Sequence, residues 1–167
     1  NKTKISSSAT KTSDVGNYVI SGSNATSNHY SISYSTGVLS ITKAPLTAKV
    51  ENTSKEYGSS NPSFCMEFVG LKNGEKTPVW SSSPSYTTSA TIKSSVGEYE
   101  ISAKATPKNY ELSEISSGIL KITKAPLTLQ ANDLSKTYYS ENPELTYICN
   151  GLKYWDDISV LTVGPIL

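Results

Sequence analysis

The chain has 167 residues, a formal net charge of +1, and 11 tyrosines against two phenylalanines and two tryptophans. Its charges are scattered, with no basic stripe to neutralise phosphates, which argues against a nucleic-acid partner. Its longest apolar runs are four or five residues, far below the ~20 that span a bilayer, so no membrane insertion of this segment is expected.

In chain order, Val15-Gly-x-Tyr18, Gly37-x-Leu39 and Ile41-Thr-Lys-Ala-Pro-Leu-Thr47 each return 81 residues later. The second occurrences are Val96-Gly-x-Tyr99, Gly118-x-Leu120 and Ile122-Thr-Lys-Ala-Pro-Leu-Thr128. The same offset relates Ser54-Lys-x-Tyr57 to Ser135-Lys-x-Tyr138, Asn61-Pro62 to Asn142-Pro143, and Gly70-Leu-Lys72 to Gly151-Leu-Lys153. Self-similarity of this length marks a tandem array. The expected organisation is a C-terminal half-copy over 1–42, a complete copy over 43–123 and an N-terminal half-copy over 124–167. The chain thus starts inside a copy, and Asn1 is expected to be a fragment boundary with no signal peptide.

Within the complete copy, apolar residues alternate. Leu46, Ala48 and Val50 share a face, as do Phe64, Met66 and Phe68, and Leu120 and Ile122 alternate with Lys121. Such period-2 runs predict half-buried strands near 46–51, 63–69, 77–81, 85–93, 98–105, 109–114 and 118–123. No window of ten or more residues carries helical spacing. The fold class is therefore all-β: tandem immunoglobulin-like β-sandwich repeats, with small β-grasp-like α+β units as the alternative. The Gly97-x-Tyr99 pattern predicts a tyrosine corner, in which the hydroxyl bonds back to an upstream backbone group.

The half-copies raise a physical problem. Tyr18, Ile20, Leu39 and Ile41 on one, and Leu127, Leu129, Leu145 and Tyr147 on the other, lack an opposing sheet. Leaving each exposed forfeits roughly 1.5–3 kcal/mol. The expected partners are neighbouring repeats, and intermolecular half-domain exchange between 124–167 of one molecule and 1–42 of another. The two cysteines occupy different copy positions, with Cys65 facing out and Cys149 in, so they are expected to be isolated thiols.

No reactive constellation emerges, and neither a catalytic residue, a cofactor nor a metal is expected. His29 is the single histidine and sits in a loop dipeptide that the other copy does not reproduce. Asp156-Asp157 with Glu141 and Glu144 lacks the spaced ligand ladder of a calcium loop. The single candidate for ligand contact is Tyr154, Trp155 and Asp156, where the equivalent loop has Asn73-Gly-Glu75. Aromatics beside a carboxylate would stack on a sugar ring or cap a protein surface, and packing on the adjacent repeat is the competing account. Trp80, aligned with Leu161, reads as a buried strand residue, and Tyr57 and Tyr138 as core or loop anchors.

Ser54-Lys-Glu-Tyr-Gly-Ser-Ser-Asn-Pro62, Gly70, Val96-Gly-Glu-Tyr-Glu-Ile101, Asn109-Tyr110 and Gly118-Ile-Leu-Lys-Ile-Thr-Lys-Ala125 together resemble the bacterial MBG domain of YGX type. The resemblance implies a tandem module of secreted or surface-anchored bacterial proteins, extracellular and non-catalytic. A stalk or spacer role in an adhesin-like protein follows, with a glycan- or protein-binding adhesion module as the alternative. Tyr139 departs from the pattern, standing where Gly58 completes the Tyr-Gly pair. If Gly58 has a positive φ, Tyr139 is expected to adopt a different turn.

Overall fold

Alternation in Ala44-Pro-Leu-Thr-Ala-Lys-Val50 turns Leu46, Ala48 and Val50 to one side of an extended strand, where all three are buried. This strand, β4 (Ala44–Val50), lies in a computed structural model that describes residues 3–153 and 155–161. The chain divides into two units: Asn1–Glu51, Phe64–Thr87 and Ile101–Gly118 form one, and Asn52–Ser63, Thr88–Glu100 and Ile119–Leu167 the other. The described residues hold twelve strands and one short 3-10 turn, Ile158–Val160, with no α-helix. The fold is all-β, built from repeats.

In the first unit, β1 (Lys4–Ser7), β2 (Gly16–Ser23) and β3 (Gly37–Ile41) form an antiparallel sheet in that order, with Asn17 opposite Ser40 and Tyr18 opposite Leu39. After only Thr42 and Lys43 the chain enters β4, the centre of a second sheet. There β4 pairs antiparallel with β6 (Met66–Val69), and parallel with β9 (Tyr110–Ser116) through a register shift between Leu46 and Ala48. β7 (Trp80–Thr87) pairs with the later part of β8 (Gly97–Pro107), Tyr86 opposite Ala103. The two short strands expected at 77–81 and 85–93 are thus one strand. Pro84, which brings no N–H to a ladder, falls inside a register shift of β7 and does not end it. Met66, Ile101 and Tyr110 join the β4 residues among the buried side chains of this unit, and Phe68 packs on half-buried Trp80 at 5.7 Å.

In the second unit, β5 (Thr53–Glu56) adds in parallel to β10 (Gly118–Thr123), Leu120 opposite Thr53 and Ile122 opposite Lys55. Leu120 and Ile122 are almost fully buried. β5 is absent from the sequence reading because Thr-Ser-Lys-Glu offers no apolar alternation. Its inward residue is Lys55, only 8% exposed. Burial pushes the Lys55 ammonium below the ordinary lysine value. The Nζ donates to the Ser59 carbonyl at 3.0 Å, Asn61 Oδ1 at 2.7 Å and the Thr91 carbonyl at 2.7 Å, so all three ammonium protons are used. Asn61 in turn donates to the Ala90 carbonyl. The Ser-Lys-x-Tyr and Asn-Pro blocks are therefore one hydrogen-bonded clasp.

β11 (Thr128–Ala131) and β12 (Tyr147–Asn150), also in this unit, pair antiparallel with Leu129 opposite Cys149. That register is the β4–β6 register of the first unit, Ala48 opposite Phe68, moved by 81 positions. The half-copies are therefore organised strands with partly open apolar faces: Leu39, Leu127, Leu129 and Leu145 are exposed, while Tyr18, Ile20, Ile41 and Tyr147 are half-buried. Cys65 is exposed, Cys149 half-buried, and both are free thiols.

Two further expectations fail. Tyr139 does not take another turn: its φ is +69°, against +78° at Gly58, so a tyrosine holds a left-handed conformation that costs roughly 1–2 kcal/mol for a residue with a Cβ. Tyr138 is no core anchor, being 92% exposed with its ring tilted against Tyr139.

Equivalent positions should respond unequally. Leu46→Ala, at a site 1% exposed, is expected to cost about 2–5 kcal/mol, and Leu127→Ala, at the repeat-equivalent site 37% exposed, under about 1 kcal/mol, in urea unfolding.

Candidate functional site at the repeat junctions

Each unit contains one passage from a copy to the next. In the first unit it begins at Tyr18, whose hydroxyl donates to the Asp14 carbonyl at 2.8 Å. The same corner recurs in the second unit, where the Tyr99 hydroxyl donates to the Ser95 carbonyl at 2.9 Å, as the Gly-x-Tyr pattern predicts. The turn between β8 and β9 then clasps the Tyr18 corner. Asp14 receives the Lys108 ammonium at 2.6 Å and the Asn109 amide at 2.7 Å, while the Val15 N–H donates to Asn109 Oδ1 at 3.1 Å. The Asn109 carbonyl accepts from the Ala44 N–H at the start of β4. One asparagine thus ties the last corner of one copy to the first strand of the next. Lys108, and then Asn109, hold the Asp14 carboxyl below the usual carboxylate range.

Next to it, buried Tyr110 accepts from the Lys72 N–H at 3.0 Å and donates to Glu75 at 2.6 Å. Burial, and then the Glu75 hydrogen bond, raise its phenol. It thereby fixes the turn Lys72-Asn-Gly-Glu75, in which Asn73 and Gly74 both have positive φ. A cleft of about 340 Å³ lies between this turn and the corner, lined by Val15, Ala44, Lys72 and Glu75 among others.

In the second unit the turn equivalent to Lys72–Glu75 meets residues of the complete copy. The turn at Lys153 closes through the Asp156 N–H and Lys153 carbonyl at 2.8 Å. Asp156 Oδ1 accepts from the Tyr57 hydroxyl at 3.1 Å, and the Trp155 indole N–H donates to that hydroxyl at 3.3 Å. The Lys93 ammonium sits 5.1 Å from the centroid of the Trp155 ring, in cation–π range. A Cβ at Gly58 would meet the Lys153 side chain at 2.6 Å, so the glycine of the Tyr-Gly pair makes room for the next copy's turn. The groove here, about 580 Å³, is lined by Val96, Ala125, Lys153 and Asp156, the 81-residue equivalents of the four residues above, together with Tyr57 and Leu152. Glycine is required in both units where the chain crosses the linker proline. A Cβ would lie 2.8 Å from the Pro45 carbonyl at Gly70 (φ +112°) and 2.6 Å from the Pro126 carbonyl at Gly151 (φ +108°).

Of the candidate contact residues, Trp155 and Asp156 are brought together on Tyr57, and Tyr154 lies outside the described residues. Tyr57 and Lys93 escaped the sequence reading of this site. The Tyr57-Gly58 pair was the signal, but a motif does not say which neighbour it serves. His29 is exposed in a loop. Asp157 caps the 3-10 turn by accepting from the Ser159 N–H; the Ser159 side chain, and then that N–H, lower its carboxyl, and it forms no cluster with Glu141 and Glu144. Among the described residues no three potential metal ligands cluster.

These features define an all-β tandem-repeat protein whose repeated elements meet at hydrogen-bonded junctions. The MBG domain (YGX type) family model matches residues 1–40, 46–121 and 127–166, and the chain belongs to this family. No curated protein and no solved structure matches it.

Asp14 should make stability pH-dependent. Its folded pKa lies below its unfolded value, so its contribution is present above the ordinary carboxylate pKa of about 3.9 and is lost as pH falls through the folded value. Asp14→Asn is expected to destabilise at pH 7 and to be nearly neutral at about pH 2, measured by denaturant titration at both. Tyr57→Phe removes the hydroxyl shared by Trp155 and Asp156, with an expected loss of about 1 kcal/mol and a red shift of Trp155 emission against a Trp80→Phe background.

Proposed function

We propose that the chain is a non-catalytic spacer: a run of MBG repeats that sets distance and direction in a bacterial extracellular or cell-surface protein of adhesin type. One observation carries this reading. Val15, Ala44, Lys72 and Glu75 line one junction, and the residues 81 positions later line the other. A repeated joint is what a spacer needs, because a fixed step per copy makes length a function of copy number. The two-residue connection Thr42–Lys43 and the Asp14–Lys108–Asn109 clasp stiffen the first joint. In this reading the domains are the half-copies 1–42 and 124–167 around the complete copy 43–123.

Spin labels at Ser21 on β2 and Glu67 on β6, both in the first unit, test it. A narrow distance distribution is expected, broadening in Asp14→Ala/Asn109→Ala. A broad distribution in the unaltered chain refutes the rigid joint.

The adhesion reading keeps one specific support, Trp155 at 39% exposure on the rim of the second junction. Selective binding on a glycan array that Trp155→Ala abolishes would replace the spacer reading with this one.

A further inference from the structure

β4 opens the copy 43–123 and β10 closes it, and each is bonded in parallel to a neighbour, β9 and β5. The other pairings described above are antiparallel. Parallel pairing is slightly weaker per residue and requires a crossover in place of a tight turn. Stability alone therefore does not account for its use at both ends of one copy. The direction of pull does. The chain continues on each side into 1–42 and 124–167, which repeat the same motifs, so tension along the array enters at Lys43 and leaves at Lys124.

Under that tension β4 is drawn by its start, and so is β5, which follows it after Glu51 and Asn52. β10 is drawn by its end, and so is β9, which runs into β10 after Ser117. In each parallel ladder the force enters at the start of one strand and leaves at the end of the other. Those two points lie at opposite ends of the ladder. The strands must then slide past each other, and all the bonds between them are loaded together. An antiparallel pair pulled at neighbouring ends opens one bond at a time.

Both ladders are fastened against sliding. In the first unit, β4 and β9 pair from Ala44 opposite Tyr110 to Lys49 opposite Ser116, and the Ala44 N–H adds a bond to the Asn109 carbonyl at 3.1 Å. Buried Leu46, Ala48 and Val50 hold that ladder in surroundings where hydrogen bonds are stronger than in water. In the second unit, the β5–β10 ladder is bracketed by two further bonds. The Ile119 N–H donates to Asn52 Oδ1 at 2.8 Å, and the Tyr57 N–H to the Thr123 carbonyl at 2.8 Å. The Lys55 ammonium ties β5 itself to three acceptors, so β5 cannot slide without breaking charge-assisted bonds.

We propose that the copy is a tension-bearing link, its first and last strands set in parallel ladders so that pulling along the array shears both. This goes beyond setting distance, and rests on the spacer reading for the direction of pull alone.

Force spectroscopy on the full 167-residue chain tests it, with handles on paired cysteines in a Cys65→Ser/Cys149→Ser background, since both native thiols are free. Lys43→Cys/Lys124→Cys pulls along the array. Lys43→Cys/Glu111→Cys, at exposed positions near one end of the β4–β9 ladder, peels the same strands apart from that end. The first pair is expected to need about twice the force of the second or more at equal loading rate, because forced unfolding follows the barrier met along the pull. Asn52→Ala, at an exposed position, removes the bond that β5 loads first and should lower the first force while sparing the second. Equal forces in the two directions, or an Asn52→Ala effect alike in both, would overturn the proposal. The Ser21–Glu67 spin-label distance is read without load. Equal forces beside a narrow distribution therefore refute the tension-bearing link alone, and unequal forces beside a broad distribution refute the rigid joint alone.

Discussion

A lysine ammonium taken out of water must have its protons accepted, and that requirement organises the clasp on which this repeat is built. Lys55 finds one acceptor four residues ahead, one on the Asn61 side chain and one on Thr91, far along the chain. Satisfying all three draws a polar strand, its following loop and a distant turn into one cluster. A neutral substitute would leave Asn61 and two carbonyls without their donor, at about 1–3 kcal/mol for each polar group that stays buried. The clasp gives a small repeat, which buries a modest share of its surface, a specific polar lock in place of a larger core.

What was legible in the sequence follows from that division of labour. Strands whose inner face is apolar announced themselves: β4 and β10 have the faces that alternation assigns, and the tyrosine corner forms at both Tyr18 and Tyr99. β5 was invisible because the residue that buries it is a lysine, and no hydropathy pattern marks a charge satisfied by carbonyls. β7 was read as two strands, 77–81 and 85–93, though an edge strand tolerates Pro84 between them within a bulge. Tyr139 defeated the glycine rule. The turn it belongs to is kept by the Ser140 N–H bond to the Thr137 carbonyl and by Lys136 on the Ser140 carbonyl, which outweigh the strain at one residue.

The candidate site was half legible. Trp155 and Asp156 stood out as departures from the equivalent loop, but their shared partner Tyr57 lies nearly a hundred positions earlier. Long-range pairing of that kind is set by how one copy meets the next. The family's Tyr-Gly pair acquires a physical meaning from it: the tyrosine supplies the hydroxyl that two residues of the following turn use, and the glycine clears space for Lys153. Equivalent junction positions carry different residues, Asp14 and Gly74 in one unit and Ser95 and Trp155 in the other. Successive joints along an array can therefore be tuned separately while the copy length stays constant.

Pro84 has a consequence beyond its place in the register shift. β7 closes one side of its sheet, and a flat exposed border with every amide available would template unwanted stacking by other chains. The missing N–H at Pro84, set among irregular pairings, makes that border a poor mould for cross-β aggregation.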